Sequence, residues 1–483
     1  MTTLIDYSIQ KEYLNEKVIC TFQQDFTPKE VEQMCNNFLK ILGGGTSLSG
    51  KRVALLVPNT FSYLSLIFAI NKLGGTVIPV SPLYREGDLS SILSCAAPHV
   101  IFTINEYNGV PFAEIIKGWL KESKSDCILY ETIDGTEWKS SHYKGVLPKL
   151  DKFNRHFILF TSGSTGTPKG VVLSQDALLE NIKIITRMFH AKRGDCILNI
   201  PPQTVGFGLV VLLGSFRYGY TVAVPDAFDF RKIADMMERV DVKKMITTPS
   251  LLKAMYGLTK HLKPKVFENI HQCFLAGEMV SEGEVQAYPL MQYTKFYGIY
   301  GITEGGGIMT CNLRKKLEWT VAEGIQYKVV NGEFIIRSST LFSGYYDRPN
   351  LTKEVKTNDG WLMTGDLVQL TKERKVVILG RKKDMIKKGG QQVIPGEVEE
   401  VLSEHDSVKQ TAVIGAPHSV YGEQIVAYVV LEKELDAQAL YQYCAERIAR
   451  FKVPDRIEFL DELPVISGKT DKKALRKLFS IKS

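Results

Sequence analysis

Phe157-Ile158-Leu159-Phe160-Thr161-Ser162-Gly163-Ser164-Thr165-Gly166-Thr167-Pro168-Lys169-Gly170 is the stretch on which the reading of this 483-residue chain turns. The apolar run Phe157 to Phe160 reads as a strand, and the residues after it pack hydroxyls, glycines and one lysine into a single turn. Small flexible residues let backbone N–H groups approach an anion closely. Hydroxyls donate to phosphate oxygens and a lysine adds positive charge. The loop is made to hold a polyphosphate, with ATP the expected one. It is not a P-loop, which needs Gly, four residues and then Gly-Lys-Ser/Thr opening a helix. Here Lys169 follows Pro168, which fixes its own φ and lacks the donor N–H, and which pushes Thr167 out of the helical region. The alternative is an ordinary Gly/Ser surface loop, and the ordered Thr-Ser-Gly-Ser-Thr-Gly-x-Pro-Lys-Gly pattern speaks against it.

Outward from this loop the chain alternates. Val53 to Pro58 reads as a buried strand, Phe61 to Leu73 as an apolar-faced helix ending at Gly74-Gly75, and Thr76 to Val80 as the next strand. Val100 to Thr103 and Cys127 to Tyr130 repeat the theme, as do the helix Leu178 to Phe189 and the strand Asp195 to Ile200. Strands interleaved with helices imply α/β units with parallel pairing. Gly332 to Arg337 and Lys375 to Leu379 read as antiparallel strands of a smaller β-rich unit. A boundary falls near Gly380. Residues 1–380 are expected to form a large N-terminal domain of layered α/β subdomains plus the β-rich unit, and 381–483 a small α+β domain with a loosely packed, Lys-rich end. A chain of this length exceeds one ordinary core, which stops growing near ~250–300 residues.

Composition narrows the function classes. The apolar fraction of 44% suits a folded soluble protein. A net charge of +7 is too mild to argue for nucleic acid. Basic residues cluster at Arg381-Lys382-Lys383, at Lys387-Lys388, and at Lys472-Lys473 with Arg476-Lys477. They read either as solvated faces or as a surface for an anionic ligand such as a nucleotide, coenzyme A or an acidic carrier protein. The eight cysteines are scattered with no Cys-x-x-Cys pair, which argues against a disulfide scaffold and a zinc site and fits a reduced cytoplasmic setting. The start has no basic region followed by an apolar core, so no signal peptide is expected. The longest apolar stretch, around Val205 to Phe216, is too short and glycine-rich to span a bilayer.

Further motifs are weak one at a time. Tyr300-Gly301-Ile302-Thr303-Glu304 combines an aromatic that could stack on a purine, a hydroxyl that could reach a phosphate, and a carboxylate that could hold Mg²⁺, an ion that takes oxygen ligands. Alone it reads better as a Tyr-Gly turn in a core. Asp366 follows a Thr364-Gly365 turn and could accept from ribose hydroxyls, although a lone Gly-Asp is usually just a turn. Gly380 to Gly390, read alone, is a charged linker with a glycine turn. Leu463-Pro464-Val465-Ile466-Ser467-Gly468-Lys469 alone is a solvated tail.

Order changes those odds. The phosphate loop, Ala276-Gly277-Glu278, Tyr-Gly-x-Thr-Glu, Thr-Gly-Asp, Gly-Arg-x-Lys-Asp-x-Ile-Lys and Pro-x-x-Ser-Gly-Lys follow one another along the chain, with Gly332-Glu333 and Gly344-Tyr345-Tyr346 between them. In that order they resemble the adenylate-forming superfamily of acyl- and aryl-CoA synthetases, adenylation domains and luciferases, over nearly the whole chain. The resemblance implies a large N-terminal domain and a small mobile lid that rotates between two half-reactions. In the first, a carboxylate attacks the α-phosphate of MgATP to give acyl-AMP and pyrophosphate. In the second, a thiol displaces AMP.

By resemblance, Thr161, Ser162, Gly163, Ser164, Thr165, Gly166 and Lys169 hold the β- and γ-phosphates. Gly277 and Glu278 border the adenine and Tyr300, beside Gly301, stacks on it. Thr303 contacts the α-phosphate, Glu304 binds Mg²⁺, and Asp366 with Arg381 holds the ribose. Lys469 bridges the carboxylate and the α-phosphate, Lys383 is the hinge, and the thiol arm passes Gly389-Gly390. The acid falls near Val205, Gly206, Phe207, Ala276, Gly305 and Gly306.

Departures from the pattern bear on the acid. Amino-acid-activating members carry an aspartate for the α-amine after the strand at Ile197 to Ile200, and Pro201 to Gly208 here contains no acid. A buried ammonium without a partner is costly, so α-amino acids are disfavoured. The aromatic or histidine found in many members near Thr204-Val205 is missing. Gly305-Gly306-Gly307 reads equally as room for an aryl ring or alkyl chain and as a flexible turn.

The leading expectation is an acid–CoA ligase acting on a fatty or aromatic carboxylic acid. The second is a stand-alone adenylation enzyme that loads a carrier protein's phosphopantetheine arm. The basic run Lys382 to Lys388 suits either the phosphates of CoA or an acidic carrier helix. A non-catalytic nucleotide-binding protein is disfavoured by the joint presence of Lys169, Glu304, Asp366, Arg381 and Lys469.

Overall fold

Two helices, Thr60–Lys72 and Gly206–Tyr218, are apolar on every side, and a helix of that kind belongs in an interior. The computed structural model of the chain describes residues 2–161, 168–278, 280, 283–466 and 469–482, with the backbone alone at 466, 469 and 482. In it both helices are buried along nearly their whole length. They meet through Phe68 and Phe216, with ring centroids 5.6 Å apart and planes close to perpendicular. The second of them accounts for the apolar stretch after Val205. The first, expected to have one apolar face, is enclosed all round.

A single core joins these helices to two large sheets. Along the strand Arg52–Leu56 alternate side chains point to opposite faces. Val53 and Leu55 enter the core shared with the helices, whereas Ala54 and Leu56 join a second cluster with Leu89, Leu93 and Ile116 on the far side. With both faces covered the strand reads as one continuous apolar run. The first sheet is eight-stranded and runs from Gly344–Tyr345 through Lys169–Ser174, His156–Thr161, Thr76–Pro79, Arg52–Leu56, Val100–Ile104 and Cys127–Thr132 to Lys139–Tyr143. The second is nine-stranded, and its middle strands Cys196–Asn199, Lys244–Thr247, Gln272–Ala276 and Lys295–Ile302 are mutually parallel neighbours. Ligands of open parallel sheets bind outside the carboxyl ends of the strands.

A four-stranded antiparallel sheet follows, in the order Gln326–Val330, Glu333–Arg337, Leu362–Leu370 and Val376–Arg381. Sheet membership then changes. The next strand, Ile386–Lys388, belongs to a separate sheet built around the long hairpin Val408–His418 and Gly422–Leu431. A single 3₁₀ turn, Lys382–Asp384, lies between the two.

The Lys-rich end departs from the expected loose tail. Lys472–Lys482 is a helix whose Leu475 and Phe479, one turn apart, are buried against Ile414 and Tyr428. The charges that suggested a solvated tail cover its other face: Lys472 pairs with Glu399 at 2.6 Å and Arg476 with Asp384 at 3.2 Å. Leu475→Ala is expected to destabilise this C-terminal unit by about 2–5 kcal/mol, the usual range for emptying a buried leucine site. Calorimetry should show a lowered transition for that unit, and limited proteolysis faster cleavage within it.

Candidate active site

The strands flanking the phosphate loop, His156–Thr161 and Lys169–Ser174, form an antiparallel hairpin with Thr161 opposite Lys169. A strand therefore follows the loop where a P-loop would place a helix. Ser162, Gly163, Ser164, Thr165, Gly166 and Thr167 lie outside the described residues. A cleft of about 390 Å³ opens beside Lys169, walled by Asp347, Arg348 and Pro349 among others.

Tyr300 and Gly301 lie near the carboxyl end of the strand Lys295–Ile302, and a hairpin turn carrying Thr303 and Glu304 leads into Gly306–Asn312. The register shifts between Tyr300 and Gly301. On the neighbouring parallel strand Ala276 pairs with Ile299, so Ala276 and Gly277 end beside Tyr300. The Glu278 carboxylate accepts the backbone N–H of Ser250 at 3.0 Å and its hydroxyl at 2.6 Å, at the first turn of the helix Pro249–Thr259.

Asp366 and Arg381 stand opposite each other in the antiparallel ladder. Arg381 Nε lies 2.8 Å from Asp366 Oδ1, and the Asp366 carboxylate is 4% exposed as a residue. The Tyr300 hydroxyl donates to the other oxygen, Oδ2. Burial pushes the Asp366 carboxyl above its ordinary value, against the lowering effect of Arg381 and Tyr300. Burial also pushes the Tyr300 phenol up, and Asp366 adds to it, so Tyr300 stays a donor. Gly365, at φ +75°, makes the turn that brings Asp366 here, and glycine adopts that conformation without steric cost.

The sequence alone assigns Glu333 no role. It is 6% exposed, accepts the Gly365 N–H at 3.1 Å and pairs with Lys382 at 2.7 Å. It thus steadies both neighbours of the Asp366–Arg381 pair. Tyr345, likewise assigned none, donates its hydroxyl to Glu304 Oε1 at 2.7 Å. No local spacing signals either contact. The only sign of them in the sequence was membership of the ordered motifs.

Gly305-Gly306-Gly307 reads in the sequence equally as room for the acid and as a flexible turn, and the space a side chain would take at Gly306 and Gly307 is filled. A Cβ on Gly306 would lie 2.5 Å from Asn181 Oδ1, and one on Gly307 2.3 Å from Ile185 Cδ1. Asn181 Oδ1 accepts the Gly307 N–H at 3.0 Å, and Gly306 has φ +73°. These glycines let the hairpin touch the helix Gln175–Met188, and helix side chains fill the space. Gly305 packs among Ile302, Ile308 and Ile336. Val205, 44% exposed, caps the helix Gly206–Tyr218, and a Cβ on Gly206 would come within 3.0 Å of Leu159 Cδ1. Phe207 packs edge-on to Phe189 at 5.9 Å. Phe207 and Gly307 thus both pack against the last turn of the helix Gln175–Met188 and its cap, through Phe189 and Ile185.

The C-terminal residues are less gathered. Gly389 and Gly390 form the positive-φ turn between Ile386–Lys388 and Gln391–Val393, with the Gly389 N–H bonded to the Tyr421 carbonyl at 2.9 Å. Lys469 opens the short strand Lys469–Thr470 of a hairpin, and its side chain lies outside the described residues. Of the basic cluster, Arg381, Lys382, Lys388, Lys472 and Arg476 are paired within the protein. Much of the charge expected to face an anionic partner is therefore already balanced.

Fold and site together define an adenylate-forming enzyme. The chain belongs to the AMP-binding enzyme family, whose model matches residues 9–346, with the AMP-binding enzyme C-terminal domain matching 397–469. It is 28% identical to a long-chain-fatty-acid–CoA ligase of Bacillus subtilis (strain 168), over 86% of this chain and 83% of that protein. It is 25% identical to a 2-succinylbenzoate–CoA ligase of Bacillus cereus (strain Q1), over 99% and 98%. The ATP-bound MatB of Rhodopseudomonas palustris shares its fold at a TM-score of 0.85 and 21% identity, over 99% of each chain. Among the described residues no helix is long and apolar enough to cross a membrane.

Proposed function

We propose that this site joins a fatty or aromatic carboxylic acid to coenzyme A in two half-reactions driven by ATP. The observation that carries the reading is buried Asp366 pairing with Arg381 and accepting from Tyr300, near the carboxyl end of the strand Lys295–Ile302. A desolvated carboxylate beside a guanidinium is a geometry suited to vicinal ribose hydroxyls. The residue roles are the sequence expectations placed on this frame. Thr161, the loop and Lys169 grip the β- and γ-phosphates, and Gly277 and Tyr300 border the base. Thr303 and Lys469 face the α-phosphate.

A carboxylate oxygen of the acid attacks the α-phosphorus while the bond to the bridging oxygen breaks, and pyrophosphate leaves with that electron pair. Two anions must approach each other, so positioning and charge neutralisation supply the catalysis. Glu304 fits Mg²⁺ carried by ATP, because that ion is commonly held by one or two carboxylates plus substrate phosphates. Bound there, Mg²⁺ would neutralise phosphate charge. In the second step the CoA thiolate attacks the acyl carbonyl carbon and AMP departs. Residues 1–380 would act as the body and 381–483 as a lid pivoting at Lys383, with Gly389-Gly390 leaving a path for the thiol arm.

The test is pyrophosphate release across a panel of fatty and aromatic acids, with CoA and with a holo carrier protein as acceptors. Acid-dependent release and thioester formation on CoA, saturating at low CoA, are expected. Release indifferent to every acid, or a thioester formed only on the carrier, would overturn the reading.

A further inference from the structure

Lys169 and Glu304 carry opposite charges on two different hairpins of the site, and a direct contact between them would occupy the groups assigned to phosphate and metal. One side chain contacts both of them. Tyr345 donates its hydroxyl to Glu304 Oε1 at 2.7 Å, and Lys169 Nζ lies over the Tyr345 ring, 5.6 Å from its centroid. An aromatic face attracts an ammonium without taking its hydrogen bonds in the way a carboxylate does.

The tyrosine is held from several directions. The strand Gly344–Tyr345 pairs with the strand leaving the phosphate loop, Tyr345 opposite Val171. The Tyr345 N–H is bonded to Thr352 Oγ1 at 2.9 Å. Its ring meets Phe342 edge-on at 4.9 Å, and the Phe342 N–H in turn donates to the Glu304 carbonyl at 2.8 Å.

We propose that Tyr345 is a positioning residue that keeps Lys169 and Glu304 apart and ties down one Glu304 oxygen, leaving the other for the Mg²⁺ that accompanies ATP. The proposal rests on the adenylation reading above and adds a residue to it. Tyr345→Phe keeps the ring under Lys169 and removes the hydroxyl. Tyr345→Leu removes both.

The full-length variants are titrated with ATP by calorimetry, with and without Mg²⁺, and acid-dependent ATP–pyrophosphate exchange is followed against Mg²⁺ concentration. A melting curve on each variant verifies folding. For Tyr345→Phe, the metal-free ATP affinity should stay within about twofold of wild type, while half-maximal exchange needs about tenfold more Mg²⁺, the effect of losing one charge-assisted hydrogen bond. For Tyr345→Leu, metal-free ATP binding should weaken as well. An unchanged Mg²⁺ requirement in a folded, ATP-binding Tyr345→Phe protein would overturn the role while leaving the adenylation reading in place. Equal weakening with and without Mg²⁺ would reduce Tyr345 to a structural residue and overturn it too. A wild-type protein that binds no ATP would instead fail the adenylation reading itself.

Discussion

Asp366→Asn will raise the ATP concentration for half-maximal pyrophosphate exchange by about 10- to 100-fold and leave the fold intact. Asparagine keeps the volume of a side chain that is 4% exposed as a residue, so no cavity opens. It loses the charge that faces Arg381 Nε at 2.8 Å and accepts from Tyr300. Hydrogen bonds to a charged group contribute about 1.5–3 kcal/mol each, and about 1.4 kcal/mol is tenfold in affinity. Steady-state kinetics should place the loss in KM for ATP, with little change in the melting temperature.

The same residue sets a pH signature. Burial raises the Asp366 carboxyl above its ordinary value, by more than Arg381 and Tyr300 lower it. The ionised form is the one that pairs with Arg381, so ATP affinity is present above that raised pKa and is lost as pH falls through it. The acid limb of kcat/KM for ATP should therefore lie above the ordinary carboxylate range in the wild type and vanish in Asp366→Asn. A limb that persists unchanged in the variant would assign it to another group.

Lys383→Pro is expected to separate the two half-reactions. Arg381 and Lys382 are tied to the body through Asp366 and Glu333, and Asp384 is tied to the C-terminal helix through Arg476. Between these anchors Lys383 would be the residue to absorb the proposed rotation, and a hinge of one or a few residues is enough for domain motion. Proline fixes φ at Lys383 and restricts Lys382 before it. One half-reaction should stay within about threefold of wild type. The other should fall at least about 100-fold, since small misplacements of a catalytic constellation cost that much. Exchange and thioester formation from preformed acyl-adenylate are measured separately, and equal losses in both would place the pivot elsewhere.

Much of this architecture was legible in advance. Val53 to Pro58 and Val100 to Thr103 read as strands of apolar runs because both faces of their sheet are covered. The phosphate loop read as something other than a P-loop because Pro168 cannot sit within the helix such a loop would open, and the strand Lys169–Ser174 bears this out. The glycine run after Glu304 leaves room and flexibility equal in the sequence because a glycine does not show what presses on it. Asn181 and Ile185, more than a hundred positions away, supply that answer. The helix at the Lys-rich end was missed because its charges outnumber the two residues, Leu475 and Phe479, that anchor it.

The sequence by itself determined the alternating α/β plan, the antiparallel unit before Arg381, and the kinds of chemical group present, because periodicity and backbone demands are local properties. Only the tertiary structure decided which groups meet. Asp366 reaches Arg381 through the register of an antiparallel ladder, Glu333 holds their neighbours Gly365 and Lys382 from the adjoining strand, and Tyr345 bridges to Glu304 across 41 residues. Such meetings depend on strand register and on what packs behind each turn, and neither quantity is written in the spacing of residues along the chain.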